Sequence, residues 1–112
     1  MENHLTANRI ENILMAKGIS FGRKKMFGGD CFMVDDKMLI GTYKGGIMAR
    51  IDPAEESDLV ARPGAETMIH GGKPMSGYLF IEPTGYESEN ELTFWVEKCL
   101  AYNPKAKASK KK

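Results

Sequence analysis

The chain has 112 residues and a mass of 12.5 kDa, enough for one domain and too little for two with separate cores. Hydrophobic residues make up 42% and charged residues 28%, a balance that excludes collagen-like, disordered and membrane-spanning classes. The net charge of +1 hides a segregation: all fifteen acidic residues precede Pro104 and five of the sixteen basic ones follow it, so an acidic body carries a basic end.

No apolar run approaches a spanning helix, and Met1 to Lys25 lacks the basic start and apolar middle of a secretory signal, so a cytoplasmic location is expected. Thr6 is placed to cap a first helix with Ala7, Ile10, Ile13 and Leu14 on its inward stripe, Asn3 being the competing cap. Gly18 ends that helix, and Ile19 can fold back on its last turn. From Phe27 to Ile51 the pattern changes to short runs separated by turn residues, which reads as a three-stranded meander. Its strands are Cys31–Val34, Lys37–Tyr43 and Ile47–Ile51, with turns at Asp35-Asp36 and Lys44-Gly45-Gly46. Simple alternation puts Met38, Ile40 and Thr42 on one face of the second strand, and Ile47, Ala49 and Ile51 on one face of the third.

Asp52-Pro53-Ala54-Glu55 opens a short helix, with Asp52 as cap, Pro53 in the first turn and Glu55 reaching back to the cap amide, and Pro63 stops it near Arg62. Thr67–His70 and Gly77–Ile81 then form a second strand pair, joined by the loop Gly71–Ser76, with Tyr78 and Phe80 on a shared face. Ser88-Glu89-Asn90-Glu91 is a capping box for a last helix whose stripe is Leu92, Trp95, Val96, Cys99 and Leu100. The reading is an α+β domain over residues 1–103, with a five-stranded antiparallel sheet and three helices in the order α-β-β-β-α-β-β-α. Residues 104–112 are expected to be a disordered Lys-rich tail, because Pro, Ala, Ser and Lys bury too little apolar surface to offset their ordering entropy.

No catalytic, cofactor or metal constellation is present. Cys31 and Cys99 are far apart, sit among apolar neighbours and read as buried thiols, while His4 and His70 form no ligand pair with them. Met26-Phe27-Gly28-Gly29 and Gly71-Gly72-Lys73-Pro74 match neither a P-loop nor a dinucleotide fingerprint, since neither opens a helix with the required glycines and hydroxyl residue. Gly28 and Gly29 are expected to serve the backbone at the entrance to the meander. Arg23, Lys24 and Lys25 beside Phe27 could join the tail in touching nucleic acid, although the acidic body repels a polyanion. Eight methionines suit an adaptable apolar surface, with Met33, Met38 and Met48 read as core.

Met26-Phe27-Gly28-Gly29, then Cys31-Phe32-Met33-Val34 and Met38, then Arg62-Pro63-Gly64-Ala65 and Met68, then Lys73-Pro74-Met75-Ser76-Gly77-Tyr78, resemble the TfoX/Sxy N-terminal domain family in order and spacing from about Arg9 to Tyr102. The resemblance implies a small α+β domain with no enzymatic activity or cofactor, and a link to competence regulators that act as transcription coactivators. Those regulators carry a second, helical domain, whereas only Pro104–Lys112 follows here.

The functional expectation is a non-enzymatic regulatory or adaptor domain that binds a protein partner through Lys73, Met75 and Tyr78, without cofactor or metal. Lys73 and Met75 belong to a loop carried by strands, where recognition often resides, and Tyr78 adds an amphipathic anchor on the strand beside it. The alternative is a nucleic-acid-associated module using Arg23, Lys24, Lys25 and the tail. Met26, Phe27, Gly28 and Gly29 are assigned a structural role.

Overall fold

Six strands, rather than five, form the sheet, and the helices lie on one side of it. The structure, a computed structural model, describes residues 2–26 and 29–106. Helix α1 (Glu2–Ala16) starts a turn before Thr6, so neither Thr6 nor Asn3 caps it; both lie inside. Ala7, Ile10, Ile13 and Leu14 are buried as their spacing requires. Gly18, at φ 71°, closes the helix: its N–H donates to the Met15 carbonyl, and the Ile19 N–H reaches back to that of Leu14.

The strand missed by sequence is β1 (Gly22–Met26). Gly-Arg-Lys-Lys-Met has no apolar alternation, because an edge strand exposed to solvent draws its order from the ladder and not from burying a face. β1 pairs antiparallel with β2 (Gly29–Val34), and the meander continues through β3 (Lys37–Tyr43) and β4 (Gly46–Arg50). Asp35-Asp36 and Lys44-Gly45 supply two-residue turns with positive φ at both positions, the geometry that follows the twist of the strands.

Beyond β4, a 3-10 turn (Pro53–Glu55) leads into α2 (Glu56–Leu59), which is shorter than the helix expected there. The Asp52 carboxylate accepts from the Ala54 N–H, but Glu55 pairs with Lys98 instead of returning to the cap. β5 (Ala65–His70) and β6 (Lys73–Ile81) complete the sheet in the order β1-β2-β3-β4-β6-β5, with every neighbouring pair antiparallel. The chain order is therefore α-β-β-β-β-α-β-β-α, one strand longer at the front than expected.

Two register details correct the simple alternation. A bulge between β2 and β3 at Phe32/Met33 makes Leu39 an extra residue, so Met38 turns to the far face while Ile40 stays with the helices. The connection from β5 to β6 is the two-residue turn Gly71-Gly72, at φ 62° and 81°, not a six-residue loop. The irregularity lies inside β6: Thr67 opposes Leu79 and Ile69 opposes Pro74, so Met75–Tyr78 bulge around Gly77 at φ 84°. The Glu56 carboxylate accepts from the Gly77 N–H at 2.8 Å, and the Gly77 carbonyl accepts from the Ile51 N–H, which tie the bulge to the start of α2.

Helix α3 (Glu89–Tyr102) begins at the expected capping box, with Ser88 accepting from the Glu91 N–H and Glu91 accepting from the Ser88 N–H. It lies beside α1, joined by Lys17–Glu97 at 2.8 Å and by Arg9, which pairs with Glu89 and donates to the Tyr86 carbonyl. Trp95, Leu92, Val96 and Cys99 pack with Ile10 and Leu14 onto Phe32, Ile40, Ile47, Ala49, Leu79 and Ile81. Each fully buried large aliphatic or aromatic side chain contributes about 2–3 kcal/mol of apolar transfer. Lys105 ends a 3-10 turn near Asp52 and Ala106 is buried, while Lys107–Lys112 of the expected tail lie outside the described residues.

A candidate interaction face

Helices α1 and α3 occupy one side of the sheet, which leaves the other side to a second, smaller cluster. Cys31, Met38, Met48 and Met68 form its buried floor, with Met33, Tyr43, Met75, Tyr78 and Phe80 half-buried around them. Register explains the grouping. Lys24, Cys31, Gly41, Met48, Phe80 and Glu66 stand in one cross-strand row from β1 to β5, and Arg50 stands opposite Tyr78 in the next. Gly41 contributes no side chain to that row, and a Cβ there would come within 2.8 Å of the Asp30 carbonyl oxygen, so the strands are closely packed between Cys31 and Met48. The Phe80 ring lies against Tyr43 at 6.1 Å between centroids, and a Cβ at Gly46 would come within 2.7 Å of it.

Lys73 and Met75 fall on β6 rather than in a loop, and Tyr78 lies further along the same strand, where a strand was expected. Met75 and Tyr78 join the same cluster, brought together by the bulge, and the Arg50 guanidinium sits 5.5 Å from the Tyr78 ring centroid. Lys73 is exposed at the strand's start, next to the turn. Sequence reading missed Tyr43, Arg50 and the methionine floor as one surface. The signal was available in β4, where Met48 and Arg50 alternate against the core residues Ile47, Ala49 and Ile51.

The basic trio is split by the structure. Arg23 pairs with Glu11 and with Asp30 at 3.2 Å, and its guanidinium lies 5.4 Å from the Phe32 ring centroid. Its charge is committed within the fold. Lys24 and Lys25 are exposed and pair with no carboxylate among the described residues.

Within Met26-Phe27-Gly28-Gly29, Met26 opposes Gly29 across β1 and β2, while Phe27 and Gly28 lie outside the described residues. Gly29 is closely packed: a Cβ there would lie 2.5 Å from Thr42 Oγ1 and closer still to the Thr42 carbonyl oxygen. That hydroxyl also accepts from the Asp30 N–H at 2.9 Å.

Both cysteines are free and buried. Burial pushes the Cys31 thiol up to about 11 against a smaller opposing pull from Lys24, and pushes Cys99 up to about 12. Neither is a thiolate near neutral pH, so neither is a ready nucleophile. Among the described residues, no group of three His, Cys, Asp or Glu side chains is placed to hold a metal ion, and no helix is long and apolar enough to cross a membrane.

These features define a small α+β domain with helices on one sheet face and an open methionine and aromatic surface on the other. The family model of the TfoX N-terminal domain matches residues 14–102, and the chain belongs to that family. It is a regulatory family associated with competence and is not a known enzyme family. Neither the curated proteins nor the solved structures contain a match to this chain.

Proposed function

We propose that this chain is a non-enzymatic regulatory or adaptor domain of the cytoplasm, acting in transcription or competence regulation by holding a protein partner on the helix-free face of its sheet. The observation that carries the reading is the half-buried set Met33, Met75, Tyr43, Tyr78 and Phe80 on a sheet face that no helix covers among the described residues. Methionine side chains adapt to a partner's shape, and tyrosine offers an apolar body with a polar tip. The absence of a low-pKa cysteine agrees with a binding role but does not carry it.

The test is capture from an extract of the native host, with and without nuclease and across salt. A protein partner held on an apolar face stays bound after nuclease treatment and in elevated salt, and deleting Lys107–Lys112 leaves capture intact. The deletion starts at Lys107 because Ala106 is buried. Substituting Met75 and Tyr78 together by serine abolishes capture. If capture instead vanishes with nuclease and with the tail, the nucleic-acid reading through Lys24, Lys25 and the tail replaces this one.

A further inference from the structure

The two edges of the sheet are unlike. β1 carries Arg23, Lys24 and Lys25, and charged side chains of this kind protect an edge strand from pairing with another chain. β5, Ala-Glu-Thr-Met-Ile-His, has no lysine, arginine or proline. Its extra bulge residues lie on β6, so the β5 backbone stays extended over all six residues. Ile69 is 56% exposed and is the large exposed apolar residue found on a strand among the described residues. β6 is the one element packed substantially against β5, and the backbone of Glu66–His70 makes no hydrogen bond beyond that ladder among the described residues. An edge strand without lysine, arginine or proline leaves a row of N–H and C=O groups able to accept another strand.

Charge narrows what would add there. Glu66 stands opposite Phe80 in the β5–β6 ladder and Glu82 follows two residues beyond Phe80, so the register brings the two acids close together at this edge, and the neighbouring Glu82 carboxylate holds Glu66 above its ordinary value. No cation among the described residues pairs with either. An incoming lysine or arginine would relieve the repulsion between them, whereas an incoming acid would add to it. We propose that the open edge of β5 accepts an extended basic segment of a partner protein as a seventh strand, with Ile69 in apolar contact and Glu66 and Glu82 facing its cations. This rests on the protein-partner reading above and names the chemistry of that partner's contact.

The experiment titrates the full chain into a fluorescein-labelled Lys-Val alternating octapeptide and follows anisotropy. Saturable binding is expected. An alternating Glu-Val octapeptide should bind at least about tenfold more weakly, a difference that charge complementarity of this kind can supply. A Lys-Val octapeptide with N-methyl groups on alternate residues keeps its charge but cannot complete the ladder, so its binding should be lost. Because these peptides differ while the protein stays native, failure of a variant to fold does not enter. The E66Q/E82Q double variant should weaken binding and flatten its salt dependence, and K25E, on the opposite edge, should leave it unchanged.

Equal binding of the N-methylated peptide, absence of saturable binding, or loss of binding in K25E would overturn the proposal. So would sedimentation showing that the chain dimerises through this edge, since a second copy would then be the occupant. Nuclease-sensitive capture from extract would sink the protein-partner reading whatever the peptides do, whereas peptide failure alongside nuclease-resistant capture would sink the β5 proposal alone.

Discussion

Replacing Gly29 by alanine tests the close packing of Gly29 against Thr42 on β3. The added Cβ would sit 2.5 Å from Thr42 Oγ1 and nearer still to the Thr42 carbonyl oxygen, where ordinary contacts exceed 3.0 Å. The carbonyl belongs to β3, held between β2 and β4, and cannot move without disturbing both ladders. The hydroxyl can rotate away only by giving up the bond from the Asp30 N–H, in a site where Asp30 and Thr42 are both buried. Overpacking of this kind costs roughly 2–3 kcal/mol, and losing a buried hydrogen bond adds about 1 kcal/mol. With a urea slope of about 2 kcal/mol per molar, the middle of the usual range, the unfolding midpoint of Gly29→Ala should fall by roughly 1.5–2 M. Adding Thr42→Ala removes the hydroxyl clash and leaves the carbonyl clash, so the double variant should lose less than the two single losses added together. A midpoint for Gly29→Ala within about 0.3 M of the parent, well inside what the overlap requires, would refute the packing argument.

Ser88→Ala removes one half of the α3 capping box and should cost about 1 kcal/mol in denaturant melts. Asn103 is buried, and its side-chain amide donates to the Val34 carbonyl at 3.2 Å, so Asn103→Ala should cost about 1–3 kcal/mol by leaving that oxygen unpaired. For the thiols the folded pKa values are raised from 9.0 to about 11 and about 12, so the folded state holds its protons more tightly than the unfolded state does. Their contribution is fully present below pH 9 and is lost as the pH rises toward 11 and 12, so melting temperature should drop over that alkaline range. In the Cys31→Ser/Cys99→Ala variant that alkaline drop should be smaller.

Much of the architecture was legible because its signals are local. The capping box at Ser88, the glycine stop at Gly18 and the buried stripe from Leu92 to Cys99 each depend on residues a few positions apart. β1 escaped notice because Arg23-Lys24-Lys25 has no buried face; its order comes from Cys31, Phe32 and Met33 across the ladder. The face to which Met38 turns is not legible because the bulge at Leu39 breaks the period of two, and no propensity marks where a bulge falls. The β5–β6 connection resembles a loop in sequence because Pro74 and Gly77 look like breakers, whereas one lies just after a Gly-Gly turn and the other supports the bulge. Of the candidate site, Tyr78 with Phe80 was visible from alternation. Its joining with Tyr43, Arg50, Met33 and Met48 required the strand order β2-β3-β4-β6, which depends on long-range pairing.

The methionines that line the open face are themselves reporters of its use. With methyl-labelled methionine, Met33 and Met75 report the helix-free face, and Met15, 60% exposed on α1, reports the opposite side. Methyl spectra of the full chain, recorded as a nuclease-resistant partner purified by capture is added, should show the Met33 and Met75 signals shift or broaden while Met15 stays in place. Movement of Met15 with Met33 and Met75 unchanged would contradict the account and place the partner on the helices.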